Sequence, residues 1–412
     1  MSFLSLGLIP SITDTLSKLD YQEPTPIQLA AIPVILANKD LMAGAQTGTG
    51  KTAAFALPLL HRFHEENKRD SVETNNCVKA LVLTPTRELA QQVYKSFIKY
   101  GETLSVNTVV AYGGVSINTQ IEAIRQGVDI LVATPGRVLE LIMKNLIDVS
   151  VLQTLVLDEA DRMLDMGFII DIQRIIKKLP EQKQILFFSA TFNDDIFTLS
   201  KTLLQNPELI EVDDRNTTSI QVEQMVYSVD QDKKSSLISY LIGSKNWQRV
   251  LIFTRTKQGA DQLAKEMNKD GIETQAIHGD KSQGARNRVL DDFRIGKTRA
   301  LVATDVAARG LDIAQLGYVI NHELPYNAED YIHRIGRTGR AGEKGMAISL
   351  VSEKENYLLS DIEKLLSTSL VAQWFPDFEP DLNKVEKNLQ KRPLSNKERR
   401  KKALGFKSKT KK

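Results

Sequence analysis

Short apolar, largely β-branched runs recur along this chain, each followed by a polar turn and then by a stretch with apolar residues at helical spacing. The runs at 40–44, 80–83, 129–133, 154–157 and 185–188 predict strands, and the intervals between them predict helices. Repeated in that order, they predict βα units on a parallel sheet. A polar stretch, DDRNTTS at 213–219, interrupts the rhythm, which resumes with runs at 250–253, 274–277, 300–303, 318–321 and 347–351. The pattern therefore predicts two α/β domains, 1–210 and 221–370, about a linker at 211–220, with a tail from 371 to 412.

Composition alters this picture little and charge alters it more. The 412 residues are 42% hydrophobic and 25% charged, ordinary for a globular protein of two domains. Cys77 is the only cysteine, which excludes an internal disulfide or a cysteine-based metal site and fits a reducing compartment. No apolar run approaches the roughly 18 residues of a membrane span, and neither a secretory signal nor an anchor is visible, so a cytoplasmic protein without membrane contact is expected. The net charge of +3 conceals an uneven distribution: residues 391–412 carry eleven Lys/Arg against Glu398 alone, leaving the rest of the chain at −7. Such a segment cannot bury a core, is expected to be disordered, and suits a sequence-blind tether for a polyanion.

In open α/β sheets ligands sit beyond the carboxyl ends of the strands, so the residues just past each run are informative. After 40–44 comes AGAQTGTGKT, in which Gly48 and Gly50 let backbone N–H groups curl around phosphate, Lys51 reaches the terminal phosphates and Thr52 can bind Mg²⁺. Ala45 stands where that pattern has its first glycine. A small residue suffices if the position needs no positive φ. After 154–157 comes DEAD, whose Asp158 suits Mg²⁺ coordination through water and whose Glu159 suits orienting and deprotonating an attacking water.

Two further strands end alike, in TPTREL and TPGRVL. Each places Thr-Pro, one residue and Arg at a helix start, which is an anion site as well as ordinary N-capping. Two of them beside a nucleotide site imply a second ligand with several phosphates, and Gly113–Gly114 after the apolar run VNTVVAY adds a place for close backbone approach. YQEPTPIQ at 21–28 supports two readings: Thr25 and Gln28 as a capping box, or Gln28 reading adenine while Tyr21 stacks on the ring. In HRIGRTGR at 333–340, three arginines and a histidine are expensive as core and wasteful as plain surface. If the domains face each other, Arg337 and Arg340 can act as arginine fingers on a γ-phosphate.

Taken together, PTPIQ, AQTGTGKT, PTRELA, the glycine pair, TPGR, DEAD, SAT at 189–191, IFTRT, QGAR at 283–286, ATDVAARGLDI at 303–313 and HRIGRTGR stand in the order found in DEAD-box RNA helicases, which this chain resembles over residues 1 to about 370. The wording IHGDKSQGAR is most similar to the bacterial RhlE-like subgroup. In that family alanine at the first loop position is usual. The resemblance implies two RecA-like domains with ATP and Mg²⁺ in the cleft and RNA across both. It assigns adenine to Gln28, Tyr21 and a supporting Phe3. The phosphates go to Ala45, Gln46, Thr47, Gly48, Thr49, Gly50, Lys51 and Thr52, and the ribose to Asp312. His333 joins the attacking-water network, and Asp161 contacts Ser189 and Thr191 to link hydrolysis to RNA. Backbone-directed RNA contacts fall to Pro85, Thr86, Arg87, Gly114, Thr134, Gly136, Arg137, Thr254, Arg286, Thr304 and Asp305. Asp20-Tyr21 departs from the common Gly-Phe.

The reading is an RNA-stimulated ATPase that acts as a monomer. It separates short duplexes locally and without processive travel, or remodels ribonucleoprotein of ribosomal or RNA-decay kind. An ATP-gated RNA clamp is the alternative and a DNA translocase a third. Trp374 and Phe375 read as a packing contact rather than a stacking platform. Deleting residues 391–412 is expected to weaken RNA binding at low salt and to flatten the dependence of affinity on salt, measured by titration at several salt concentrations. An unchanged slope would reject the tether.

Overall fold

The computed structural model describes residues 2–45, 49–69, 77–191, 194–212, 222–308, 316–339 and 345–381. Strands β1 (Leu41–Gly44), β2 (Ala80–Leu83), β3 (Thr108–Ala111), β4 (Ile130–Ala133), β5 (Thr154–Leu157), β6 (Gln184–Ser189) and β7 (Glu208–Glu211) form one sheet in the order β3-β4-β2-β5-β6-β1-β7. Its neighbouring strands are all parallel. Strands β8 (Val222–Ser228), β9 (Val250–Thr254), β10 (Thr274–Ile277), β11 (Ala300–Thr304), β12 (Tyr318–Asn321), β13 (Gly345–Val351) and β14 (Ala372–Gln373) form a second parallel sheet, ordered β10-β11-β9-β12-β13-β8-β14. These are two tandem RecA-like domains.

Alternation of side chains divides each strand between two cores. Leu41, Ala43, Val82, Ile130, Val156, Leu186 and Phe188 enter one cluster, while Met42, Leu81, Leu131, Leu155, Ile185 and Phe187 enter the other. Helices cover both faces, which is why the central strands read as unbroken apolar runs. Helix starts are capped locally: Thr86, Thr256 and Ser282 each accept a backbone N–H of the first turn.

Two boundaries differ from the sequence reading. The charged, exposed edge strand β7 has no apolar run, yet it pairs with β1, and Val212 N–H donates to Gly44 O at 3.1 Å. The first domain therefore continues past residue 210. Residues 371–381 fold onto the second domain rather than beginning a tail: β14 pairs with β8, and the Phe375 ring lies edge-on to Tyr227 at 5.4 Å. Lys233 Nζ donates to Glu379 O at 2.7 Å, and Asp381 N–H donates to Asp230 Oδ2 at 3.1 Å. Phe375 is the packing contact expected of it, whereas Trp374 beside it is 58% exposed. The stretch 213–219 and the basic segment 391–412 lie outside the described residues.

A buried charge network organises the second domain. Lys234, fully buried, donates to His322 O at 2.9 Å and Leu350 O at 2.8 Å and pairs with Glu355. Glu355 also pairs with Arg255 at 3.1 Å and accepts Ser352 N–H at 3.1 Å. Burial, and then the Lys234 charge, push the His322 imidazole down to about 4, against the opposing pull of Glu323, Glu355 and Glu266. It is neutral in the fold, whereas an unfolded chain takes up that proton below about 6.5. The contribution to stability is therefore complete above about 6.5 and is lost as pH falls toward 4. Urea unfolding of the second domain should show stability falling between pH 7 and 5, with a shallower slope in His322→Gln. An identical slope in the variant would assign the titration to another group.

Candidate active site

Parallel strands put the loops after β1, β6, β5, β2, β4 and β3 side by side on one edge of the first sheet, in that order. The first three carry the phosphate loop, SAT and DEAD. Gly44 is in register with Ser189, and Ala45 N–H donates to Ser189 O at 3.1 Å. Ala45 is buried and is not among the residues with positive φ, so its methyl group meets no backbone constraint. Lys51 opens the helix Lys51–Arg69 with its Nζ buried and without a hydrogen-bond partner among the described residues, and Asp158 Oδ1 is in the same condition. Burial, opposed by Lys51 and reinforced by Glu159, pushes the Asp158 carboxyl up to about 7. Glu159 comes next at φ 53° and ψ 52°, a left-handed conformation that is uncommon for a residue with a side chain and is found at functional sites.

An unpaired buried ammonium and an unpaired buried carboxylate oxygen are each costly unless a ligand of opposite charge completes them. The pair fits a nucleotide phosphate at Lys51 and a divalent cation at Asp158. Among the described residues no cluster of three or more His, Cys, Asp or Glu would hold a metal unaided. Such a cation would depend on phosphate and water for most of its ligands.

The capping box of YQEPTPIQ forms: Gln28 Oε1 accepts Thr25 N–H at 2.9 Å, and Gln28 Nε2 donates to Gly50 O at 3.1 Å. Each amide atom retains capacity for one more bond, so adenine reading is compatible with capping. Tyr21 packs edge-on against Tyr100, with ring centres 6.0 Å apart, and Phe3 is buried in the core beneath. Gln46, Thr47, Gly48, Asp312 and Arg340 lie outside the described residues.

The far end of the same edge carries the residues expected to meet RNA. Thr86 caps its helix, accepting Leu89 N–H at 3.2 Å. Gly114, at φ 80°, lies against Arg87, whose guanidinium a Cβ there would meet at 2.0 Å. Gly136, by contrast, faces open space, so nothing in the protein around it requires a glycine. Thr134 starts that helix and is buried, as is Arg137, whose guanidinium donates to Gln120 Oε1 at 2.8 Å and Val115 O at 3.1 Å. In the second domain Thr254 and Thr304 are adjacent in register at the ends of β9 and β11. Arg286 and Asp305 are already engaged: Arg286 Nε donates to Glu88 Oε1 of the first domain at 2.7 Å, and Asp305 takes both arms of Arg334 at 2.6 and 2.7 Å.

In the SAT segment Ser189 Oγ donates to Thr191 O at 2.7 Å, while both Asp161 oxygens and Thr191 Oγ1 lack hydrogen-bond partners among the described residues. One expectation needs correction: the arginines of HRIGRTGR are not uniformly poor core residues. Arg334 is fully buried because Asp305, Asn321 Oδ1 at 3.1 Å and Glu323 O at 2.6 Å satisfy its donors. His333 is half-buried on the helix Ala328–Ile335, and Arg337 is buried just beyond it. Sequence reasoning also missed Glu88, Arg162 and Asp330. Arg162 Nη1 bonds Asp330 Oδ1 across the cleft at 2.7 Å, and Gln283 joins Arg286 on Glu88 at 3.1 Å. Their motifs are visible in the sequence, but a cross-domain partner is not.

Tandem RecA-like domains with a phosphate loop and an acidic strand end on the first define a two-domain nucleotide-dependent ATPase architecture. The DEAD/DEAH box helicase family profile matches residues 25–199, and the helicase conserved C-terminal domain profile matches 232–342. The chain belongs to the DEAD/DEAH box helicase family. It is 41% identical to the ATP-dependent RNA helicase CshA of Listeria monocytogenes over 88% of this chain and 68% of that protein. It is likewise 41% identical to the DEAD-box ATP-dependent RNA helicase RhpA of Helicobacter pylori, over 90% of this chain and 73% of the relative. Among solved structures, S. cerevisiae Dbp5 bound to RNA and ADP BeF3 matches with a TM-score of 0.79 at 33% identity, covering 90% of this chain and 95% of that one. A form of Dbp5 bound to Nup159, Gle1, IP6 and ADP matches at 0.59 and 31% identity, over 90% and 96%.

Gly50 has φ 95°, and a Cβ there would meet Gln28 Nε2 at 2.4 Å. Gly50→Ala is expected to displace Gln28, strain the loop and weaken ATP binding by roughly 1–3 kcal/mol, measured by nucleotide titration. Wild-type affinity in the variant would show that the loop tolerates the side chain.

Proposed function

We propose that this protein hydrolyses ATP in response to RNA and uses closure of its cleft for local, non-processive separation of short RNA duplexes or remodelling of ribonucleoprotein. The observation that carries the reading is the pair of buried, unpartnered groups, Lys51 Nζ and Asp158 Oδ1, on a strand edge that continues into helix starts able to hold a second polyanion. Lys51, Thr52 and the backbone of the phosphate loop hold the triphosphate, while Gln28 and Tyr21 hold the base. Mg²⁺ carried by Thr52 and, through water, by Asp158 would neutralise charge on the β- and γ-oxygens. Glu159 orients the attacking water and takes its proton, with His333 in the same network. Arg337 and Arg340, brought in by closure, stabilise the charge that develops on the transferred phosphoryl group.

RNA is held by its backbone. Thr86, Thr134 and the glycines of the first domain, with Thr254 and Thr304 of the second, offer N–H and hydroxyl groups to phosphate and 2′-OH without reading bases. The space in front of Gly136 suits such an approach. Arg87 remains half-buried at this edge, whereas Arg137, Arg286 and Asp305 have protein partners that such a role would have to share. The closed form holds one strand bent, which a regular duplex cannot follow, so local pairs are lost. The likeness to Dbp5 bound to RNA and ADP BeF3 supports RNA and an adenine nucleotide as the two ligands here. We further infer a cytoplasmic monomer acting on ribosomal or RNA-decay ribonucleoprotein. An ATP-gated clamp that binds RNA but unwinds little is the second reading, favoured by the two ion pairs that hold the domains together.

Steady-state ATP hydrolysis with single-stranded RNA, with matched DNA and without nucleic acid tests the reading. RNA should stimulate strongly and DNA little, and Glu159→Gln should lose on the order of 10²–10⁴-fold in rate. Hydrolysis indifferent to RNA would overturn the coupling. Unwinding of short blunt and tailed duplexes separates helicase from clamp.

A further inference from the structure

The cross-cleft pair of Arg162 and Asp330 sits where the two halves of the proposed catalytic site are built. Arg162 lies three residues after Glu159, on the short helix Ala160–Asp165 that Glu159 caps. Asp330 lies in the first turn of the helix Ala328–Ile335, which carries His333 and ends two residues before Arg337. The contact is 2.7 Å, and the side chains are only 5% and 16% exposed. Asp165 shares Arg162 Nη1 at 3.3 Å, and Asp161 lies next in sequence, so the guanidinium is surrounded by carboxylates. Burial disfavours its charge, and Asp161 and Asp330 more than restore it. Exposed ion pairs contribute little, but a shielded one leaves an uncompensated charge when either partner is removed.

We infer that the Arg162–Asp330 pair is a closure latch, which sets the register between the turn carrying Glu159 and the turn carrying Arg337 when the domains meet. Both are positioning residues, acting through the elements that bear the reacting groups. The inference rests on the RNA-coupled ATPase reading. When the domains part, both side chains return to water, so the pair strengthens the closed form selectively and adds to the coupling between nucleotide and RNA. The second cross-cleft pair, Glu88 with Arg286, lies at the proposed RNA end and cannot set this register.

The test measures the affinity of the full chain for a fluorescent non-hydrolysable ATP analogue with and without single-stranded RNA. The ratio is the coupling factor, which typically lies at about 5–150-fold. Arg162→Asp and Asp330→Arg should each lower it by about tenfold or to unity, and the double variant, whose new carboxylate still faces Asp161 and Asp165, should recover part of the loss. Asp330→Asn, nearly isosteric, should keep its thermal midpoint and its nucleotide affinity without RNA within about twofold, while kcat of RNA-stimulated hydrolysis falls with the coupling factor. Wild-type coupling in a folded Asp330→Asn, or a double variant no better than the worse single one, would overturn the latch. Absence of coupling in the wild type would instead sink the RNA-coupled reading on which the latch stands.

Discussion

Every strand of each sheet runs in the same direction as its neighbours, and this parallel pairing underlies both the site and its division between two ligands. It brings six loops of the first domain to one edge, although they lie as far apart in sequence as residues 45 and 190. At about 4.8 Å between strands, the phosphate loop after β1 and the glycine pair after β3 are separated by roughly 24 Å along that edge. Between them lie SAT, DEAD, PTREL and TPGR. Two ligands can therefore occupy one edge without competing, with the acidic strand end placed toward the nucleotide side.

Buried charge then distinguishes scaffold from chemistry. Lys234, Arg334 and Arg286 are as deeply buried as Lys51, but carboxylates and carbonyls satisfy them. Lys51 Nζ and Asp158 Oδ1 have no such partners among the described residues. A buried polar atom left without a hydrogen-bond partner is costly unless a ligand completes it, so the same residue types mark scaffold in one place and site in the other. The two ion pairs across the cleft add a third use. Their partners come from different domains, and their strength depends on how the domains meet.

Much of the fold was legible because its central strands are covered on both faces and so appear as continuous apolar runs. Runs at 80–83, 154–157, 274–277 and 318–321 coincide with strands β2, β5, β10 and β12. The strands that escaped lack such a run. β7 is a charged edge, β8 (VEQMVYS) is interrupted by Glu223 and Gln224, and β14 is two residues held by pairing with β8 and by the aromatic packing beyond it. Such elements owe their conformation to neighbours rather than to their own pattern.

The order of the motifs, the residue types offered at each strand end and the alternation that makes both sheets parallel were all written along the chain, because periodicity and local capping act over a few residues. Which of the offered groups remain available was settled only by packing. It committed Arg334 to Asp305, Arg286 to Glu88 and Ser189 to its own loop, and it left Asp158 Oδ1 without a protein partner among the described residues. The cost of a buried charge depends on partners contributed by distant segments, and no local pattern in the chain records where those partners will be.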